Sequence, residues 1–354
     1  MTQSKTLLLG VGISAATAPQ TSLKQSRQFW TELTKPFDGA FAFLTLEDEF
    51  ADKGGDGLDA ILLANWLAPR LTNIGIIAGD GLDAILLANW LAPRLTNIGI
   101  IAGAPVNFLE PFHVSTAIAT LDYVSEGRAG LLVQQLTKQR NLEASKALGA
   151  LNGYPSLDQQ ALKTDTQDAI EVIRRLWDSW EDDAVIRDKK TQRFLDASKL
   201  HYINFESENF RVLGPSITPR PPQGQPIVAT KLSNLDELNV ARNADVVFVT
   251  ADEQLIRAAG VSVHDRAAPF VVADLALSDK PGVQETIDAI IESQAWGASG
   301  IRLLLSDPQS QSDFVLKELL PALQARKLVH NGEGITLRAR FGLPEAINRY
   351  STAA

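Results

Sequence analysis

Cysteine is absent from this chain, and 354 residues contain only four histidines and one methionine. No disulfide framework, thiolate nucleophile or cysteine-based metal centre can be built. His113, His201, His264 and His330 never stand three or four positions apart, so no helix carries a histidine metal pair. Only aspartate and glutamate could make a hard-cation site, and no metal is assigned. Long apolar runs are lacking too: none reaches the ~18 unbroken residues of a membrane span. There is no basic excess either. The net charge of −9 argues against a nucleic-acid backbone as partner. A hydrophobic content of 45% supports a full globular core. The length suits two average domains or one (β/α)8 barrel, which typically takes about 250 residues or more.

What is present begins with a duplication. Residues Gly55–Ala78 recur without one change as Gly79–Ala102. Each copy reads as a helix (Leu58–Leu67, Leu82–Leu91), a Pro-Arg turn and an apolar strand (Ile74–Ala78, Ile98–Ala102). Nothing else repeats, so a solenoid, which needs three or more units, is not expected. The copied unit is instead one increment of a β/α fold.

Short strands rich in Val, Ile, Leu and Phe alternate with helical stretches. They are expected at Leu7–Ser14, Gly39–Leu44, Ile98–Gly103, Gly130–Gln134, Ile227–Thr230, Val246–Thr250, Phe270–Ala276 and Ile301–Ser306. Near-continuous hydrophobicity suits strands buried on both faces of a parallel sheet. The N-terminal run Thr6–Ala16 also has the look of a signal peptide, with Ala16-Thr17-Ala18 as its cleavage site; a first barrel strand is the competing reading. Gly10-Val11-Gly12-Ile13-Ser14-Ala15 matches the dinucleotide fingerprint. A helix should open directly from that motif, yet Pro19 follows, and no strand-end acid stands at the required distance. Asp168–Trp180 has apolar residues at helical spacing, and its tail Glu181-Asp182-Asp183 reads as a solvated face. Ser198–Gly224 is proline-rich, with a small hairpin expected at Asn204–Leu213.

Asn209–Phe248 contains Phe210-Arg211-Val212-Leu213-Gly214-Pro215, then Pro222-Gln223-Gly224-Gln225-Pro226, then Ala244-Asp245-Val246-Val247-Phe248. In this order the three segments resemble the nitrilotriacetate monooxygenase branch of the luciferase-like flavin-dependent monooxygenases. Glu110-Pro111-Phe112-His113, Leu121–Arg128, Leu320–Arg326 and Thr336–Pro344 extend the likeness over most of the chain after Asn97. The resemblance implies one (β/α)8 TIM-type barrel domain over 1–354, with 198–224 as an irregular excursion between strands four and five. It also implies oxidation of a small organic substrate with reduced FMN and dioxygen, a separate flavin reductase as partner, a homodimer and a cytoplasmic location.

Barrel sites lie past the C-terminal ends of the strands, and there the chain departs from the family. The family's Asp at the end of strand two falls at Leu44. Its Thr after strand three falls at Val106 or a neighbour. The Trp-Asn-x-x-Thr/Ser run of strand four becomes Leu131–Leu136, and the Ser-Ser-Glu-Ala-Gly turn after strand five becomes Leu232–Asp236. Ser233 survives as a cofactor-binding candidate. It is read either as a phosphate ligand at a helix start or as an N-cap with Asp236 in a capping-box spacing. Gln134 and Gln135 are the other candidates, since one of the two must face the barrel interior. No catalytic residue is assigned. Glu47, Glu110, Asp252 and Asp307 are strand-end acids that suit either a base or a helix N-terminus, and His113 opens a helix. An alternative function follows from the losses: a barrel that no longer binds flavin and serves as a ligand-binding or structural subunit. Because a closed barrel cannot take a ninth strand, one copy of the duplication should fill the third position. Ile98–Ala102 is the expected one, because it runs directly into Ala104–Glu110.

Overall fold

The computed structural model describes residues 6–14, 23–47, 84–135, 158–241, 243–261, 268–278 and 280–351. Eight parallel strands form one sheet: β1 (Leu7–Ser14), β2 (Phe43–Glu47), β3 (Gly99–Ala104), β4 (Ala129–Val133), β9 (Ile227–Leu232), β10 (Val246–Thr250), β11 (Phe270–Ala276) and β12 (Gly300–Leu304). Each pairs with the next, and β12 pairs with β1 through Leu8↔Gly300 to Gly12↔Leu304, closing the barrel. Among the described residues, two short hairpins lie between β4 and β9. One joins β5 (Val185–Asp188) to β6 (Arg193–Leu195), the other β7 (Phe205–Glu206) to β8 (Arg211–Val212). A two-residue strand, β13 (Val329–His330), lies against the start of β1 and is too short to disturb closure.

Helices wrap the barrel: α1 (Leu23–Thr34), α2 (Ala84–Leu91), α3 (Pro111–Val124), α4 (Gln159–Asp178), α5 (Leu238–Ala241), α6 (Glu253–Ala259), α7 (Val283–Trp296), α8 (Pro308–Phe314), α9 (Leu320–Ala325) and α10 (Leu337–Arg340). Alternation along the strands separates two cores. Leu7, Leu9, Val11, Ile100, Leu131, Val247 and Ile301 pack toward the helices. Leu8, Phe43, Ile101, Leu132, Ala229, Phe248 and Val272 fill the interior. Gly10 and Gly12 are interior positions of β1. A Cβ on Gly10 would stand 2.2 Å from the Phe43 ring, and one on Gly12 2.7 Å from Leu304. These glycines make room for side chains from neighbouring strands rather than for a dinucleotide.

The second strand begins at Phe43, not Gly39. The chain turns at Asp38–Gly39, where Gly39 has φ +82°, and only then runs extended. This shift moves Leu44 to the helix-facing layer. Asp38 also sets the path into β3, since its carboxylate accepts from the amides of Thr96 (3.1 Å), Asn97 (2.8 Å) and Ile98 (2.8 Å). Burial alone would raise the Asp38 pKa, but these donors hold it below its ordinary value.

At the N-terminal end of the barrel, Leu337 and Phe341 plug the interior, with Phe341 5.2 Å from Phe43 and 5.0 Å from Phe270 between ring centres. Three segments that carry the family likeness meet here. The buried Asp122 accepts from the amide (2.9 Å) and side chain (2.6 Å) of Gln223, and from the amide of Ala129 (3.2 Å). Gln223 in turn accepts from the Arg338 amide at 2.8 Å. Burial pushes the Asp122 carboxyl up to about 6 despite these donors. The acidic tail after α4 keeps Asp182 and Asp183 exposed to solvent and is also paired: Glu181 with His201, Asp182 with Arg220 and Asp183 with Lys199.

The third barrel position is filled from the second copy of the duplication, while Ile74–Ala78 lies outside the described residues. Removing 24 residues from the tandem pair gives the same sequence whichever copy is deleted. That shortened chain should keep its helical far-UV signal and melt at or above the temperature of the parent. Cooperative unfolding lost on deletion, read by circular dichroism, would make the extra unit part of the architecture.

Candidate active site at the barrel mouth

The interior becomes charged as it approaches the C-terminal ends of the strands. Arg302 on β12 is 0% exposed and faces inward, because its neighbours Ile301 and Leu303 face the helices. Its register partner on β1 is Gly10, which offers no side chain to compete for the space. Asp274 on β11 grips the guanidinium with two bonds, Nε to Oδ1 at 2.7 Å and Nη2 to Oδ2 at 2.5 Å. Nη1 donates to Glu47 Oε1 at 2.9 Å and to Thr45 Oγ1 at 3.1 Å. The guanidinium carbon lies 3.8 Å from the centre of the Phe248 ring. Lys231 on β9 reaches the other oxygen of Glu47 at 2.5 Å. Two cations and two carboxylates thus form a neutral group across β2, β9, β11 and β12. Bidentate geometry and a desolvated ring face are the arrangement in which a buried arginine is best compensated. Burial opposes the charge on Arg302, but Asp274 and Glu47 hold its pKa above the ordinary value. Burial raises the pKa of Asp274, and Arg302 works against that rise.

Above this group a cavity of about 390 Å³ opens at the ends of β9 to β12, lined among others by Lys231, Ser233, Phe248, Thr250, Asp274 and Leu304. Its size falls at the low end of ligand sites, about 300–1,000 Å³. Lys231 and Ser233 are exposed at its rim.

Of the sequence candidates, Gln134 is 8% exposed and turns inward beside Gly103, where a Cβ would come 2.9 Å from its Oε1. Gln135 follows it, half-buried. Ser233 lines the cavity, but it is not the N-cap. Asn234 is, accepting from the Asp236 amide at 3.0 Å. The acid that closes back on the turn is Glu237, not Asp236, and it accepts from the Ser233 amide at 2.7 Å. Asp252 and Asp307 cap α6 and α8. Glu110 stands at the N-terminus of α3 without a side-chain cap bond. His113 is exposed on that helix.

Two of the three apolar replacements expected at the flavin edge prove to face elsewhere: Leu44 and Val106 pack with the helix layer, and only Leu132 faces inward. The inward residues of β2 are Phe43, Thr45 and Glu47, so an acid does stand at the end of strand two. Arg302, Asp274, Thr45 and Lys231 were missed. The available signal was a charged residue inside an apolar strand, as in Ile301-Arg302-Leu303 and Ala273-Asp274-Leu275.

A family model described as luciferase-like monooxygenase matches residues 55–292, more than half of the chain. N-acetyl-S-(2-succino)cysteine monooxygenase of Bacillus subtilis is 35% identical over 185 residues, covering 51% of this chain and 40% of that protein. Nitrilotriacetate monooxygenase component A of Aminobacter aminovorans is 36% identical over 183 residues, covering 51% and 39%. The aligned stretches therefore span less than half of these relatives. Among solved structures, a riboflavin lyase with modified FMN and riboflavin superposes with a TM-score of 0.74 at 20% identity, covering 96% of this chain and 97% of that one. At that identity the likeness shows the fold.

Replacing Arg302 with Met should strand Asp274 without its buried cation, while Glu47 keeps Lys231, and cost about 3–5 kcal/mol of stability. With burial raising it and Arg302 no longer opposing, Asp274 then titrates above its unfolded value, so the loss should be larger at pH 8 than at pH 5. Urea unfolding of Arg302→Met at both pH values reads this; a loss independent of pH would show that the Asp274 carboxylate does not depend on Arg302.

Proposed function

Because the chain belongs to the luciferase-like monooxygenase family, we propose that it is an FMN-dependent monooxygenase acting on a small organic substrate, with reduced flavin delivered by a separate reductase. The observation that carries this reading is the cavity at the C-terminal mouth of a closed barrel, floored by a neutral charge group. The donor set there suits a flavin ring. Lys231 and Thr250 can donate to ring oxygens and nitrogens, Phe248 and Leu304 offer an apolar wall, and Gln134 turns inward from the end of β4 outside the cavity lining. Ser233 stands where it can meet the phosphate. Reduced FMN, when bound, supplies the electrons for dioxygen activation. The residues of the chain position the ring and keep water from its face. Arg302 anchors Asp274 and Glu47, and Lys231, bonded to Glu47 by one of its three N–H donors, offers the others at the rim. A homodimer in the cytoplasm completes the proposal. Among the described residues no helix is long and apolar enough to cross a membrane.

One observation favours the second reading, a barrel that keeps its scaffold without flavin. Glu237 occupies the Ser233 amide, and Asp236 and Glu237 place negative charge in the first turn after β9. A phosphate at that turn must displace a carboxylate.

Titration of the purified chain with FMN and, anaerobically, with reduced FMN decides between the readings. Saturable binding of the reduced form in the micromolar range is expected. Lys231→Ala should weaken it by roughly tenfold. Absence of binding up to roughly 500 μM, a dissociation free energy near 4.5 kcal/mol, would leave the scaffold reading.

A further inference from the structure

At the opposite end of the barrel lies a second cavity of about 370 Å³, lined among others by Arg220, Gln223, Gly224, Arg338, Pro344 and Asp182. Beside it runs a network of guanidiniums and carboxylates. Arg174 pairs with Asp245 at 2.9 Å and Arg175 with Glu171 at 2.7 Å. Arg220 pairs with Asp182 at 2.8 Å and Asp178 at 3.2 Å, and Arg349 with Glu171 at 2.8 Å and Asp178 at 3.3 Å. Each of these four arginines touches a carboxylate directly.

Arg338 does not. Its side chain is 11% exposed, and the carboxylate it faces, Asp245, is 3.8 Å away and already bonded to Arg174. It donates to carbonyls instead: Nε and Nη2 to Pro344 at 3.2 and 3.1 Å, and Nη1 to Gln225 at 3.0 Å. A guanidinium has five N–H donors, so these bonds leave two unused. Carbonyl dipoles orient a cation without cancelling its charge. Burial lowers the Arg338 pKa; Asp245 opposes this and Arg174 adds to it. The contrast with Arg302, clamped between two carboxylates, is direct.

We propose that this basal cavity binds a small oxyanion, such as a phosphate, sulfate or carboxylate group, through Arg338. The two unused donors of Arg338, and a charge that Asp245 offsets only from 3.8 Å while bonded to Arg174, favour an anion, and Arg338 lines the cavity. Asp182, with a side chain 73% exposed, and Glu345 lie on the rim and disfavour a polyanion. The site lies at the other end of the barrel from the proposed flavin mouth and does not rest on that reading.

Thermal melting and calorimetric titration of the full chain with inorganic phosphate, sulfate and acetate, at ionic strength fixed with sodium chloride, test this. At least one of the three should raise the melting temperature saturably, by roughly 2–3 °C. The anion that acts identifies the chemistry. Arg338→Gln should weaken that binding by roughly tenfold, and Asp182→Asn should tighten it several-fold by removing rim charge. No saturable response to any of the three, or a response unchanged in Arg338→Gln, overturns the proposal. If Arg338→Gln does not fold, unchanged affinity in both Arg338→Lys and Asp182→Asn overturns it.

Discussion

Closure of the sheet between β12 and β1 is the constraint from which the rest follows. An open sheet has two equivalent faces, whereas a closed ring has a narrow interior and a wide exterior, and alternation then assigns every strand residue to one or the other. Leu9 and Val11 face the helices, so Gly10 and Gly12 face inward. The same phase sends Arg302 into the barrel, where an uncompensated charge is costly. Its two carboxylates, its threonine and its aromatic ring come from three other strands, β2, β10 and β11, and they meet only because register around the ring is fixed. The missing Cβ of Gly12 belongs to the same arrangement: that atom would stand 2.9 Å from Thr45 Oγ1 and 3.4 Å from Arg302 Cδ.

The two ends of the barrel divide the work. At the base, Asp122, Gln223 and Arg338 tie the connection before β4, the proline-rich turn before β9 and the closing segment into one network. Leu337 inserts against Gly99, where a Cβ would stand 2.3 Å from its Cδ1. The stretches that carry most of the family likeness are therefore stretches that seal the barrel. At the mouth the polar residues come singly, from the ends of separate strands. Strong likeness in the chain as a whole thus speaks first to scaffold, and the chemistry of the mouth has to be argued from individual side chains.

That division explains what was legible in the sequence. Buried parallel strands are continuous apolar runs, and β1, β10 and β11 begin and end where the sequence pattern places them. The hairpin near Asn204–Leu213 could be read from its local composition. β2 was misplaced because Ala40-Phe41-Ala42 looks like strand but lies in the turn after Gly39. That error of phase made an outward leucine look like a lost flavin contact, although Glu47 could already be read as a strand-end acid. Ser233 was given the cap role of its neighbour because Ser, Asn and Asp all cap well and stand close together there. The charged floor of the mouth is non-local: Glu47 and Arg302 are 255 positions apart, and no periodicity predicts their meeting.

The duplication shows the same logic at a single junction. The copies are identical, so nothing inside them can decide which one enters the barrel. What differs is the sequence that follows. Gly79-Asp80 comes after the first copy, and Gly103-Ala104 after the second. Both begin with glycine, which the interior position beside Gln134 requires. The next residue ends β3 on its helix-facing side, where Ala104 is 0% exposed among apolar neighbours. Entry of the first copy would put Asp80 in that position, burying a carboxylate where alanine now packs, at a cost of several kcal/mol. It would also separate β3 from Asn107, whose side chain fastens the end of the strand to α4 through Asp165 at 2.7 Å and Leu162 at 3.2 Å. The choice between two identical units is thus made by one alanine, one aspartate and the short turn that follows.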